Sequence, residues 1–150
     1  MVGKYLYAES GLDNVILEGL EPVRDDEGDL VYTIPNIAGL HRAIARAIVM
    51  HEKGISGKEL RFLRSEMGST QAELAKAVHR EPLTVGRWER GEIEIDSNAE
   101  ALTRLLAVQR LGLQIEEDIE SLSSRCVPTV EAQPIVIIAN NPDDYRQKAA

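Results

Sequence analysis

The sequence predicts a mainly α protein with a small β element, an α+β fold, and three observations carry the prediction. Residues 58–111 hold apolar side chains at helical spacing, broken at intervals by cap signals. Residues 21–34 hold two short β-prone runs around an acidic, glycine-containing turn. Near the C-terminus, Pro134 to Ala139 reads PIVIIA, a β-branched run bounded by Pro134 and by Asn140-Asn141-Pro142. The 150 residues are enough for one domain or two small ones. Three segments are expected. Residues 1–55 form a hairpin-and-helix unit for dimerisation or partner binding, residues 56–112 a helical domain, and residues 113–150 a helix, strand and tail.

In chain order, Lys4 to Tyr7 reads as a short strand or an ordered lead-in, and Asn14 to Leu17 as a strand ended by a Glu18-Gly19 turn. Glu21 to Arg24 and Leu30 to Ile34 form a hairpin whose tip is Asp25-Asp26-Glu27-Gly28-Asp29. That tip lacks the ligand alternation and closing glutamate of a calcium loop. A helix from Ile37 to Glu52 puts Ile37, Leu40, Ile44, Ala47 and Ile48 on one face. Its two histidines, His41 and His51, lie about 280° apart around the helix and cannot share a metal from it. Lys53 to Gly57 reads as a hinge.

A helix from Lys58 to Met67 follows, with Leu60, Leu63 and Met67 on one side, and Gly68 ends it. Ser69 or Thr70 caps the next helix, and Glu73 stands where a capping box needs it. Leu74, Ala75 and Val78 face inward, and His79-Arg80-Glu81 is a turn. Pro82 opens a third helix that runs to about Arg90, before Gly91. Ser97 caps a long helix to Leu111, with Leu102, Leu105 and Leu106 toward the core. A further helix spans Gln114 to Ser123, with Ile115, Ile119 and Leu122 on one side. Residues 125–133 read as irregular. PIVIIA is expected to join the N-terminal hairpin sheet, within its own subunit or across a dimer, because a lone terminal strand needs a partner. Asp143 to Ala150 reads as a loose tail.

The net charge of −8 is unevenly spread. Residues 1–55 carry 5 basic and 9 acidic side chains, residues 56–91 carry 7 and 5, and residues 92–150 carry 5 and 11. Basic charge is therefore concentrated in the middle helices. Cys126 is the only cysteine, which excludes an internal disulfide and a multi-cysteine zinc site. No apolar run approaches the ~20 residues of a membrane span, and Met1 to Ser10 lacks the pattern of a signal peptide. A cytoplasmic bacterial protein is expected. No Ser/His/Asp set, phosphate loop or paired metal ligands stand out, so no enzyme, cofactor or metal is expected.

The order TQAELA, a short turn, then TVGRWERG, closely resembles the Cro/repressor-type helix-turn-helix family, also called the XRE family, ungapped from about Leu60 to Gly91. The resemblance implies a five-helix DNA-binding domain, a palindromic double-stranded operator, a homodimer and a regulator, most simply a repressor. Residues at the start of a recognition helix reach base edges in the major groove. Here these are Glu81, Pro82, Leu83 and Thr84, with Arg87 one turn on. Arg87 suits guanine O6 and N7, Leu83 and the Thr84 methyl suit a thymine methyl, and Glu81 suits cytosine N4 or a helix cap. The resemblance places Gln71 near a phosphate or an adjacent base, and Lys76, Arg80 and Arg90 are phosphate candidates. It also pairs Arg64 with Glu89. Val85 and Trp88 face inward by spacing, and Phe62 points away from them, toward the helix from Ile37.

Two positions depart from the family pattern. His79 stands where glycine is usual in a left-handed turn, and Arg80 where a small apolar residue is usual. The N-terminal half, through YAESGLDNVILEG and IPNIAGLHRAIARAIV, also resembles regulators near the MqsA-type antitoxins, without the cysteine pairs of their zinc module. That second resemblance implies an alternative partner, a protein toxin, for which the acidic N-terminal unit is the candidate surface.

Overall fold

Alternating apolar residues at Val15, Leu17, Ile135 and Ile137 decide where the main sheet forms, because all four are fully buried. The computed structural model describes residues 3–52, 54–116, 118–126 and 134–148. Strands β1 (Gly3–Leu6), β2 (Val15–Leu20), β3 (Val23–Arg24) and β4 (Leu30–Val31) precede helix α1 (Ile37–Val49). Helices α2 (Gly57–Glu66), α3 (Gln71–Ala77), α4 (Pro82–Glu89), α5 (Ser97–Leu111) and α6 (Ile119–Ser124) follow, then β5 (Ile135–Ile138) and β6 (Arg146–Gln147). Among the described residues the protein is thus α+β, with six α-helices, a four-stranded sheet and a separate two-stranded one. None of these helices is long and apolar enough to cross a membrane.

The chain divides into two compact units. The first comprises residues 1–44 and 134–150, and the second residues 45–133. The first holds the sheet, in the order β1-β2-β5-β6. β5 pairs with β2 in parallel, from Val15↔Ile135 to Glu18↔Ile138. The expected partner was the hairpin, and this is a correction. The hairpin strands β3 and β4 are only two residues each and exposed on both, so they offer β5 no apolar face, whereas β2 does. A parallel pair needs a long crossover, and here the second unit lies within that connection. The Tyr7 hydroxyl and His41 Nε2 hydrogen-bond at 2.8 Å and tie the start of α1 to this sheet.

Three further expectations near the termini are corrected. Glu18-Gly19 is not a turn. β2 continues to Leu20, and the β1 register jumps from Glu18 to Leu20, which leaves Gly19 as the extra residue of a bulge. Its φ of +84° is the left-handed conformation that such bulges assign to glycine. The described part of the tail, residues 144–148, is not loose, because β6 pairs antiparallel with β5 and the Tyr145 hydroxyl donates to the Pro35 carbonyl. The helix expected over Gln114–Ser123 begins later, at Ile119, where Asp118 accepts from the Ser121 amide at 2.9 Å and caps it. Most of the expected irregular stretch, residues 127–133, lies outside the described residues.

In the second unit, residues 54–57 of the expected hinge are packed structure, and Lys53 lies outside the described residues. Gly54 and Ile55 are buried, and Ser56 caps α2 in a complete capping box with Glu59. α5 is capped by Asp96, whose side chain accepts from the Ala99 amide, and not by Ser97, whose hydroxyl donates to the Cys126 carbonyl. Leu102 is exposed, and Leu105 and Leu106 are half-buried. The fully buried face of α5 carries Glu100, Thr103, Arg104 and Ala107 instead.

The polar side chains on that face hydrogen-bond to one another and to backbone groups. Arg104 donates to the carbonyls of Val49 (2.9 Å) and His51 (2.8 Å) and to Glu100 Oε2 (3.1 Å). Glu100 Oε1 accepts from the Ile55 amide at 3.1 Å, and His51 Nε2 lies 2.6 Å from Glu59 Oε2. The guanidinium thus occupies the carbonyl-rich C-terminal end of α1, a favourable place for a cation. Burial, followed by contact with Glu100, pushes the Cys126 thiol up to about 12.

Removing one partner of a buried pair strands the other charge, so Arg104→Ala should lose about 3–5 kcal/mol. Urea unfolding of the variant should show it as a midpoint loss, and an unchanged midpoint would contradict the network's role.

Candidate nucleic-acid interface

Local sequence builds the α3–α4 pair. Thr70 accepts from the Glu73 amide at 3.1 Å, and Glu73 Oε1 accepts from the Thr70 amide at 3.1 Å. These backbone and side-chain hydrogen bonds from Thr70 hold the Glu73 carboxyl below its usual range. α3 ends at Val78, and His79 turns the chain with φ of +59°. The Arg80 amide then donates to the Ala75 carbonyl at 2.8 Å, which closes the end of α3. Pro82 opens α4, where a missing N–H leaves no helical bond unmade.

Burial assigns the faces of α4. Val85, Gly86, Trp88 and Glu89 are buried, against Leu74, Ala75 and Val78 of the α3 segment within the same core. Leu83 is 62% exposed, Thr84 is half-buried and Arg87 is exposed. Leu83 and Arg87 are four residues apart and Thr84 and Arg87 three, so the three side chains share one helix face. Glu81 and Pro82 stand exposed at the start of that face. Glu81 occupies the N-cap position, yet its side chain makes no cap hydrogen bond.

One ion pair fixes the helix that carries this face. Arg64 Nε donates to Glu89 Oε2 at 2.6 Å and Nη2 donates to Glu89 Oε1 at 2.9 Å. Arg64 Nη1 also donates to the Ser69 carbonyl at 3.0 Å. The hydrogen bond to Glu89 raises the Arg64 pKa, and burial opposes it. Gln71 Nε2 donates to the same Glu89 oxygen at 3.0 Å, and Arg110 donates to the Ser69 hydroxyl at 2.8 Å. α2, α3, α4 and α5 thus converge on two residues, Glu89 and Ser69.

The basic residues near α4 divide into two groups. Arg80 is engaged by Asp96, at 3.0 Å from Nη2, and by the Val78 and His79 carbonyls. Arg90 is paired with Glu92. Lys76 and Arg87 are exposed and have no ion-pair or hydrogen-bond partner among the described residues. Phe62 is buried on α2.

Sequence reasoning missed Gly57. A Cβ there would stand 2.3 Å from the Trp88 carbonyl oxygen and 2.7 Å from that of Glu89. The first turn of α2 therefore touches the backbone at the end of α4, and only glycine fits. The nearest signal was Ser56-Gly57-Lys58-Glu59, an S-x-x-E capping box that placed the helix start directly before this contact. Searches for similar proteins match the chain to no family model, no curated protein and no solved structure.

Gly57→Ala forces two backbones apart, so it should destabilise by about 3 kcal/mol. His79→Gly should act in the opposite direction. Relief of the left-handed strain gives ~1–2 kcal/mol, and the added freedom of the unfolded chain returns ~0.4–1 kcal/mol. A small net gain is expected. Thermal unfolding of both variants tests the pair of signs, and a Gly57→Ala protein as stable as the parent would refute the close approach.

Proposed function

We propose that this protein is a sequence-specific double-stranded DNA-binding regulator, most simply a repressor. In this reading α2 to α5 act as an XRE-type helix-turn-helix and α4 is the recognition helix. Two copies bind a palindromic operator, since half-sites about one helical turn apart, roughly 34–36 Å, demand a two-fold protein.

The observation that carries the reading is the contrast between the two faces of α4. One face is buried and held by a bidentate ion pair. The other presents Leu83, Thr84 and Arg87 outward, with the Arg87 side chain uncommitted among the described residues. An exposed leucine beside a free arginine suits a thymine methyl next to a guanine edge. Lys76 is the phosphate contact, because phosphate binding needs a free cation. Arg80 and Arg90 first have to leave Asp96 and Glu92, so they contribute less. Gln71 acts mainly by holding Glu89.

Acidic residues outside residues 56–91 weaken the non-specific component of binding, which comes from phosphate neutralisation. Affinity then depends on base contacts, which favours discrimination between sequences.

On an operator selected from random duplexes, Arg87→Ala should cost about 1–3 kcal/mol and relax the preference at one base position. Lys76→Ala should weaken all sequences alike and lower the slope of affinity against salt by about 1. Unaltered binding by both variants would remove α4 from the groove.

A further inference from the structure

The four-stranded sheet has one finished face and one unfinished face. Residues opposite each other in neighbouring strands point to the same side. Val15, Leu17, Ile135 and Ile137 share the buried side. The other side carries the row Leu6, Ile16 and Val136 and the row Lys4, Glu18, Ile138 and Arg146. Leu6 is 53% exposed, and Ile16, Val136 and Ile138 are half-buried. β2 and β5 are a parallel pair, and parallel strands are normally covered on both faces.

The charge on this face is opposite to that of the whole chain. Glu18 is flanked by Lys148, 3.1 Å away, and Lys4, 3.7 Å away, and Arg146 stands opposite Ile138 in the same row. Two lysines thus flank one carboxylate, with Arg146 farther along the same row, in a protein of net charge −8.

The β3–β4 hairpin is the complement of that surface. Val23 is 51% exposed, Leu30 is 61% exposed and Val31 is 38% exposed, so the hairpin offers apolar side chains without cover. A bare two-stranded hairpin is marginal in water. Its tip adds four exposed carboxylates, Asp25, Asp26, Glu27 and Asp29. Asp25 is used to build the turn, by accepting from the Glu27 and Asp29 amides. Asp26, Glu27 and Asp29 remain available for an outside cation. At its root, Tyr32 packs on Tyr5 with ring centroids 4.9 Å apart, so the hairpin is anchored while its strands project.

Resting on the dimeric reading given above, we propose that the occupant of this sheet face is the β3–β4 hairpin of a second copy of the chain, docked reciprocally about a two-fold axis. Val23 and Val31, opposite each other on one face of the hairpin, cover Leu6, Ile16 and Val136 of the other copy, and the acidic tip meets Lys4 and Lys148. One chain carries both halves of the contact, so the two-fold repeats it and closes the assembly. A different protein with an acidic apolar hairpin would satisfy the same chemistry, but each copy already supplies one.

Sedimentation velocity of the full chain without DNA tests the surface. The parent should be a dimer at tens of micromolar and should weaken as salt rises, because exposed charges are screened. Lys4→Glu with Lys148→Glu, or Asp26→Lys with Glu27→Lys, should each weaken self-association by about tenfold or more, equivalent to ~1.4 kcal/mol. Mixing the two double variants should restore a dimer, because each altered face then meets an altered tip of opposite charge. All four positions are exposed or at the sheet margin, and circular dichroism checks that the variants fold. Dimers unaffected by either pair, or lost on Leu102→Glu on α5 alone, would overturn the surface and leave the dimeric reading standing. A parent that is monomeric at that concentration would overturn both.

Discussion

The orientation of α4 depends on the guanidinium of Arg64. An eight-residue helix has little stability of its own, because nucleation is unfavourable and only a few hydrogen bonds follow it. α4 is held by what surrounds it. Arg64 grips both oxygens of Glu89, and a bidentate fork fixes angle as well as distance. The third nitrogen of the same group holds the Ser69 carbonyl, at the junction that precedes α3. Lysine could not make this set of contacts, since its ammonium has no planar fork. The buried Trp88 and the close approach at Gly57 then fix the far end of α4 against the start of α2. With one face so constrained, the other can present side chains in a fixed geometry.

A second buried polar assembly lies in the same unit. Glu100, Arg104, His51 and Glu59 occupy positions that aliphatic side chains would fill in a simpler bundle. Such networks are weak evidence of net stability, since two ions must leave water. Their effect here is to define chain path. Arg104 collects the carbonyls at the end of α1, while Glu100 holds the Ile55 amide in the segment that leads into α2. A change in either group is felt where α2 begins, next to Gly57 and the end of α4.

Several local signals are legible in the sequence, although the Asp96 cap and the Ser56–Glu59 capping box were missed, and long-range ones are read poorly. The capping box of Thr70 and Glu73, the proline at the start of α4 and the left-handed residue at His79 depend on a few neighbouring residues, and all could be placed. The Arg64–Glu89 pair was reached only through family resemblance, because nothing within α2 points to α4. Gly19 read as a turn because glycine marks bulges and turns alike, and only the β1 register separates them. Leu102, Leu105 and Leu106 suggested an apolar stripe on α5. The buried stripe lies around Arg104, which no hydropathy pattern would select without knowledge of the carbonyls it reaches. The pairing of β2 with β5 joins residues more than a hundred positions apart, and its short β-branched runs fit several partners equally.

Charge distribution links these features to the proposed activity. Basic residues gather in residues 56–91, yet of the three arginines in and flanking α4, Arg80, Arg87 and Arg90, two are paired with carboxylates, Arg80 with Asp96 and Arg90 with Glu92. The free cations are few and specifically placed. The most direct measurement is amide chemical-shift mapping of the full chain as a selected duplex is added. The account predicts that the largest shifts fall on Glu81 to Arg87 and on Gln71 to Lys76, with the buried face of α4 moving little. Shifts concentrated on β2, β5 and β6, with residues 81–87 unmoved, would contradict it.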